Sequence, residues 1–347
     1  MSIEGKENSR GMGNQQGKKG IKIKMQSITI TEKDAGQRLD KMLGKYLNKA
    51  PKSFLYKMLR KKNITLNGKK ADGSERLSSQ DEIKLFLSDE TIAGFSEIKV
   101  TKVEYQLDII YEDKNILIIN KPAGLLSQKA QKEDISLVEH LISYLLDTKQ
   151  ITWETLKSFR PGICNRLDRN TSGIIIAGKS LAGLQKMSQL LKDRNIDKYY
   201  QCIVKGQIKE KQLIDGYLIK NTSHNKVTIS KEPKEGAEYI KTQYEPIESN
   251  EDFTLLKVKL LTGKSHQIRA HLKSIGHPIV GDGKYGDVAV NKMVKKNYKL
   301  KHHLLHSWQL VLPELEGEFL PLSNKIIEAP LPEYFQELIK GLIDKNK

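Results

Sequence analysis

The nine residues Asn165-Arg166-Leu167-Asp168-Arg169-Asn170-Thr171-Ser172-Gly173 set one carboxylate between two guanidinium groups, in a polar turn just ahead of an apolar run. Taken alone, Asp168 reads first as a turn or capping residue. The alternative is a carboxylate held ionised by its flanking cations and therefore able to act as a nucleophile. The segment by itself does not choose between them.

Other candidate chemistries are weaker. Gly173 to Ser180 matches the pattern GxxxxGK[ST] of a phosphate-binding loop. Such a loop needs flexible residues whose N–H groups curl around an anion. Here the middle positions are Ile174, Ile175, Ile176 and Ala177, which favour an extended strand and spread those N–H groups along a ladder. Nucleotide binding is therefore not expected, and Lys179 and Ser180 become a strand end and a helix cap. His302 and His306 have helical spacing but no nearby carboxylate, and His266 and His271 are five apart, so no metal site is expected. Cys164 and Cys202 form no CxxC pair and cannot make a disulfide framework.

These residues need a scaffold, and hydrophobic spacing predicts one. Residues 27–32 alternate like a strand, and GQRLDKMLGKYL places Leu39, Met42, Leu43 and Leu47 on one helical face. SFLYKMLRKK reads as a second helix opened by Pro51, and NITLNGKKA as a hairpin around Asn67-Gly68. DEIKLFL closes this unit, and residues 88–104 read as a polar connector. Beyond it, DIIYEDKNILIINKPAG, SGIIIAGKS, KYYQCIVKG, HNKVTISK and FTLLKVKLL read as strands. SLVEHLISYLLD, LAGLQKMSQLLKDR and HQIRAHLKSIG read as helices, the last closed by Gly276. Strands predominate and helices interrupt them irregularly, which predicts an α+β fold with a mostly antiparallel central sheet.

The charge is uneven. The chain has 347 residues, 59 of them Lys or Arg and 42 Asp or Glu, a formal net charge of +17. Residues 1–33 carry net +4, residues 34–89 net +6, and the remaining 258 residues net +7. This concentration favours a polyanion-binding surface over general solubility. Lys57, Arg60, Lys61, Lys62, Lys69 and Lys70 cluster on a helix end and the following hairpin, where phosphate contact is expected. Lys292, Lys295, Lys296, Lys299 and Lys301 form a second basic run, read as a surface loop. The hydrophobic content of 38% excludes disorder throughout, and no apolar run of about 18 residues exists to span a membrane. The first 25 residues resemble a disordered basic tail with no secretory signal, so a cytoplasmic protein is expected.

Four blocks, in order, resemble the RluA-type pseudouridine synthases. NRLDRNTSG (165–173) is similar to that family's HRLDxxTSG signature. DIIYEDKNILIINKPAGLLSQ (108–128) resembles its first block, KYYQCIVKG (198–206) its KxYxAxVxG strand, and LLTGKSHQIRAHLKSIGHPIVGDGKYG (260–286) its GRTHQIRVHL block with the GHPxxGDxxYG that follows. The N-terminal unit resembles the alpha-L RNA-binding module of ribosomal small-subunit protein four. The matches cover about residues 34–312, and their mix is closest to the RluC-like branch, which modifies large-subunit ribosomal RNA. The organisation implied is a basic tail (1–25), an alpha-L module (26–90), a linker (91–104) and a catalytic domain of pseudouridine synthase fold (105–347).

The resemblance implies a role for each matching residue. Asp168 corresponds to the catalytic aspartate, which attacks the ribose of a target uridine or assists its glycosidic cleavage. Arg269 would pair with Asp168, and Tyr200 would lie against the uracil and take the C5 proton. Arg166 would extrude the uridine or hold its phosphate, with Lys198 and Lys121 also on the substrate side. The residue chemistry agrees, because a carboxylate can cleave a glycosidic bond through a sugar adduct, and no second carboxylate is close in the segment to activate water for hydrolysis. The reaction is an isomerisation, so no cofactor is expected. The expected partner is large-subunit ribosomal RNA, with no membrane and with the enzyme a monomer. Two positions depart from the family: Asn165 replaces a His, and Lys264-Ser265 replace Arg-Thr. Altered contacts with intact chemistry are expected, since Lys keeps the charge but loses the bidentate fork. The rival class is a non-catalytic RNA-binding assembly factor, which would not need to retain Asp168 and Arg269.

Overall fold

The computed structural model describes residues 25–98, 100–221 and 226–344. The expected basic tail thus lies outside the described residues, Met25 excepted. The first folded unit contains β1 (Gln26–Thr29), α1 (Leu39–Tyr46), α2 (Lys52–Arg60), β2 (Ile64–Leu66), β3 (Lys69–Lys70), β4 (Glu82–Leu85) and α3 (Asp89–Phe95). Its four strands form an antiparallel sheet in the order β1-β4-β2-β3. Leu39, Met42 and Leu43 of α1, Leu47 beyond it, and Leu55 and Leu59 of α2 are buried with Ile64, Ile83 and Leu85 of the sheet. Each such fully buried aliphatic side chain contributes about 1.5–3 kcal/mol. Asn67 and Gly68 turn the β2–β3 hairpin with φ of +50° and +72°, the left-handed pair that matches strand twist.

The connector read at 88–104 is partly helical instead. Ser88 Oγ accepts the Thr91 N–H at 3.2 Å and starts α3, which buries Ile92 and lays Phe95 against Phe54, ring centroids 4.7 Å apart. The helix is short and has few apolar positions, so its periodicity is faint in sequence.

The larger unit contains β5 (Ile109–Glu112), β6 (Ile116–Lys121), α4 (Leu137–Asp147), α5 (Thr155–Ser158), β7 (Gly162–Ile163), β8 (Ser172–Gly178), α6 (Leu181–Lys192) and β9 (Asp197–Lys205). There follow β10 (Gln212–Asn221), β11 (Lys226–Ser230), β12 (Glu238–Ser249), β13 (Phe253–Leu260), α7 (Gln267–Ser274), α8 (Val288–Tyr298), β14 (Leu305–Val311), β15 (Ile326–Glu328) and α9 (Glu333–Leu342). One sheet runs β11-β10-β12-β13-β9-β14-β8-β6-β5, with β15 on β14 and β7 on β8. Only the β14–β8 pair is parallel among the described strands, so the α+β, mostly antiparallel expectation holds.

All seven residues of β8 are buried, because helices cover both faces there. Ile175 and Ala177 join the cluster of α4 residues Leu137, Leu141 and Leu145, while Ile174 and Ile176 join Met187 and Leu190 of α6. The phosphate-loop pattern is therefore a central strand with its residues paired along β6. Lys179 Nζ is tied to Glu112 at 2.5 Å and to the Asp113 carbonyl at 2.6 Å, and Ser180 caps α6 through the Gly183 N–H.

The run Lys292–Lys301, read as a loop, is mostly the helix α8. Asp287 caps it by accepting the Val290 N–H at 3.0 Å, and Val294 is buried beside Phe335 and Leu338 of α9. Its five lysines stand exposed along α8 and its exit. The two units also touch. The Ser158 hydroxyl donates to Asp34 at 2.9 Å, Lys33 donates to the Gln150 carbonyl at 2.5 Å, and the Tyr46 hydroxyl donates to Glu154 at 3.1 Å.

Candidate active site

Asp168 lies in the loop between β7 and β8, and that loop is pinned from several sides. Asn165 donates to the Ile174 carbonyl at 3.1 Å and accepts the Ile176 N–H at 2.8 Å, so the departure from His leaves a residue that grips β8. Ser127 accepts the Leu167 N–H at 3.0 Å and donates to the Leu167 carbonyl at 2.7 Å. The Gly124 N–H donates to the Arg169 carbonyl at 2.8 Å, and Arg169 Nε returns a bond to the Gly124 carbonyl at 3.1 Å. The Thr171 N–H closes a tight turn on the Asp168 carbonyl at 3.0 Å. Gly173 follows with φ +107°, and a Cβ there would sit 2.2 Å from the Ser307 carbonyl oxygen on β14. Only glycine permits that approach.

Two buried histidines fix the far side of the loop. Thr171 Oγ1 lies 2.7 Å from His303 Nε2, and Ser172 Oγ lies 2.8 Å from His306 Nδ1. His306 Nε2 reaches the Ala329 carbonyl at 3.2 Å, which leaves Nδ1 to accept from Ser172. Burial holds both imidazoles down at about 4, with repulsion from Arg269 also acting on His303 and the Ala329 bond opposing the shift in His306.

The catalytic candidate is 26% exposed and meets Arg269 of α7, whose Nη1 donates to Asp168 Oδ2 at 2.7 Å. Arg269 is anchored behind by Asp282, which accepts Nε at 2.7 Å and Nη2 at 2.8 Å. Asp282 is fully buried and also accepts the N–H groups of Lys284 and Tyr285. Burial pushes the Asp282 carboxyl up, but the Arg269 bonds and charge override it and hold the group at about 2. Burial pulls Arg269 down, and the two carboxylates more than offset this, leaving it raised. The result is a fixed line, Asp282–Arg269–Asp168, with one end in the core and the other at a cleft of about 550 Å³.

Tyr200, Lys198 and Arg166 line the same cleft, so the structure brings these three together with Asp168 and Arg269. Burial pushes the Tyr200 phenol up to about 12, so it is neutral at physiological pH. Lys198 is drawn down by burial and by Arg194, and Arg166 is exposed at the rim. Lys264, in the second departing position, also lines the cleft but pairs with Glu238 at 2.6 Å. Lys121 is not on the substrate side. Its ammonium is fully buried and donates to the carbonyls of Pro122, Leu125 and Arg169 at 2.8, 2.9 and 3.2 Å, so it holds the loop from below. Burial pulls it down to about 7, against the pull of nearby Asp168. Lys57, Arg60, Lys61, Lys62, Lys69 and Lys70 lie apart from the cleft on the N-terminal unit, all exposed and none in an ion pair among the described residues.

Asp282 and Tyr285 were not singled out from sequence, and His266 was weighed only as a metal ligand, although all three fall inside the 260–286 block. A lone Asp between Gly281 and Gly283 reads as a turn residue, and only the folded chain reveals the arginine it holds. Among the described residues no cluster of His, Cys, Asp and Glu has the arrangement of a metal site, and no helix is long and apolar enough to cross a membrane.

Known proteins share sequence and fold with this chain. A family profile described as RNA pseudouridylate synthase matches residues 115–274. An RNA pseudouridine synthase of Mycoplasma genitalium is 30% identical over 319 residues, 90% of this chain and 98% of that protein. The ribosomal large subunit pseudouridine synthase C of Pasteurella multocida is 30% identical over 341 residues, 96% of this chain and 99% of the relative. The solved structure of human RNA pseudouridylate synthase domain containing 4 covers 67% of this chain with a TM-score of 0.54 at 24% identity, a likeness of fold.

Proposed function

The chain belongs to the RNA pseudouridine synthase family and is an isomerase of RNA, and we propose that it converts specific uridines of large-subunit ribosomal RNA to pseudouridine with Asp168 as the nucleophile. The ribosomal target is supported by relatives named ribosomal large subunit pseudouridine synthase C over nearly the whole chain. The carrying observation for Asp168 is a carboxylate at a nucleotide-sized cleft with Arg269 on one oxygen. In this reading the target uridine leaves its stack, at a cost of a few kcal/mol that is least in loops and bulges. Asp168 forms or assists a bond change at the ribose, uracil turns within the cleft, and C5 replaces N1 on the sugar. Tyr200 lies against the base as a neutral phenol. Burial keeps the proton on this phenol, so in this reading Tyr200 holds the base, and taking the C5 proton requires it first to lose its own. Arg166 holds the extruded nucleotide's phosphate at the rim, and Lys198 supports the same wall.

The exposed cations of the N-terminal unit supply phosphate contacts away from the cleft, as an alpha-L module preceding a catalytic domain would. A ribosomal substrate fits a cytoplasmic enzyme. The test is pseudouridine mapping of ribosomal RNA with and without the gene, together with Asp168→Asn in vitro. The substitution should lower pseudouridine formation by roughly 10³-fold or more while leaving RNA affinity nearly unchanged. Activity equal to the parent enzyme would reject the nucleophile, and RNA binding without any pseudouridine from the parent enzyme would favour an assembly factor.

A further inference from the structure

Two nitrogen-bearing side chains, Arg269 and His266, face the same oxygen of Asp168. His266 stands at the N-terminus of α7 with its backbone in the left-handed region, φ +57°, and its ring lies near the Asp168 loop. Its Nε2 is 3.9 Å from Asp168 Oδ2, the oxygen that already accepts Arg269 Nη1. Asp168 Oδ1 makes no hydrogen bond or ion pair among the described residues.

The other edge of the imidazole is held by Tyr285. The Tyr285 oxygen accepts the Val227 N–H of β11 at 2.9 Å and lies 2.9 Å from His266 Nδ1. With that N–H already directed at the oxygen, the phenol's own proton points to Nδ1. His266 is then the tautomer with its proton on Nε2, facing the carboxylate. Tyr285 is itself fixed, 5.1 Å from the Arg269 guanidinium carbon across its ring and buried in a small cluster with Leu218 and Ile240.

We infer that His266 is a positioning residue for Asp168: the Val227–Tyr285 chain holds it as an Nε2–H donor that, with Arg269, brackets Oδ2 and leaves Oδ1 to meet the ribose. At 3.9 Å this is a contact and not yet a hydrogen bond; the inference requires it to tighten when substrate binds, as catalytic hydrogen bonds often do. Restricting the carboxylate to one rotation removes unproductive orientations at the reacting carbon. This inference rests on Asp168 being the nucleophile.

The experiment measures single-turnover pseudouridine formation and RNA affinity in the full chain for His266→Asn, His266→Gln, Tyr285→Phe and the His266→Asn/Tyr285→Phe double variant, with Asp168→Asn alongside. Asn tolerates the left-handed backbone, so His266→Asn removes the Nε2 donor without backbone strain, and thermal unfolding checks that each variant folds. His266→Asn should slow turnover roughly ten- to a hundredfold with RNA affinity within about twofold. His266→Gln, whose amide can reach the Nε2 position, should recover part of the loss. Tyr285→Phe should slow turnover less, and the double variant should be no slower than His266→Asn because Tyr285 acts through His266. A folded His266→Asn enzyme at the parent rate, a loss confined to affinity, or additive losses in the double variant would each overturn the inference. If instead Asp168→Asn is as active as the parent, it is the nucleophile assignment that fails.

Discussion

The cleft and the N-terminal unit handle charge in opposite ways. At the cleft, Asp282, Arg269 and Asp168 are joined by hydrogen bonds of 2.7–2.8 Å, and the arginine is 8% exposed. On the N-terminal unit, Lys57, Arg60, Lys61, Lys62, Lys69 and Lys70 are exposed with no ion-pair partner among the described residues. A buried paired charge resists movement, because any displacement leaves a desolvated group unmatched. An exposed unpaired charge fixes little but attracts phosphate at long range and releases counterions on contact. In the proposed function, one region sets geometry and the other sets affinity, although both are built from the same residue types.

Breaking the buried line should have the largest effect on stability. Asp282→Asn keeps the shape of the anchor but removes the charge that faces Arg269. Unfolding free energy should fall by on the order of 3 kcal/mol in a urea titration, with turnover falling as well, because Asp168 loses its fixed partner. A loss below about 1 kcal/mol would mean that the cleft is no more tightly bound by charge than the N-terminal surface.

How much of this contrast could be read from sequence depends on whether its cause is local. The strands β6, β8 and β9 and the helices α1, α2, α4 and α6 announce themselves through apolar spacing, and the N-terminal charge through simple counting. The helix α3 stayed hidden because a seven-residue segment with one buried isoleucine carries too little periodicity. The helix α8 was masked by its lysines, although Val290, Met293 and Val294 sit at helical spacing against α9. The pairing of Asp168 with Arg269 spans 101 residues and came only through family resemblance. Lys121 was misassigned because a lysine in a motif suggests a ligand, whereas its burial under three carbonyls depends on how the loops fold over it.

Acid should sharpen the comparison next. His303 and His306 brace the Asp168 loop and are held at about 4 by burial, while the sequence before residue 140 contains no histidine. An unfolded histidine takes its proton near pH 6.5, so the unfolded state binds more protons between that pH and about 4. The stability these groups protect is fully present above pH 6.5 and declines as pH falls through that window. At pH 5 each should cost about 2 kcal/mol relative to pH 7. Urea midpoints measured from pH 7 to 5 should therefore fall, and His306→Asn should flatten part of the decline. An unchanged slope in that variant would show that the loop's buried histidines are not the acid-sensitive element.

The smallest effect should come from the exposed cations, and it should appear in a different observable. Reversing Lys61, Lys62 and Lys69 to Glu removes charges that hold no partner in the folded chain, so unfolding free energy should change by less than about 0.5 kcal/mol. RNA affinity should fall roughly tenfold or more near physiological salt, equivalent to about 1.4 kcal/mol per tenfold. The slope of log affinity against log salt should flatten by about 2, since each single-strand phosphate contact contributes about 0.7. The single-turnover rate of RNA already bound should stay near the parent value, because nothing in the Asp282–Arg269–Asp168 line touches these lysines. A salt slope equal to the parent's would mean that the N-terminal charge does not grip RNA. A slowed rate in the bound complex would mean that the two regions share the work of positioning, and that the division between geometry and affinity is not as clean as their burial implies.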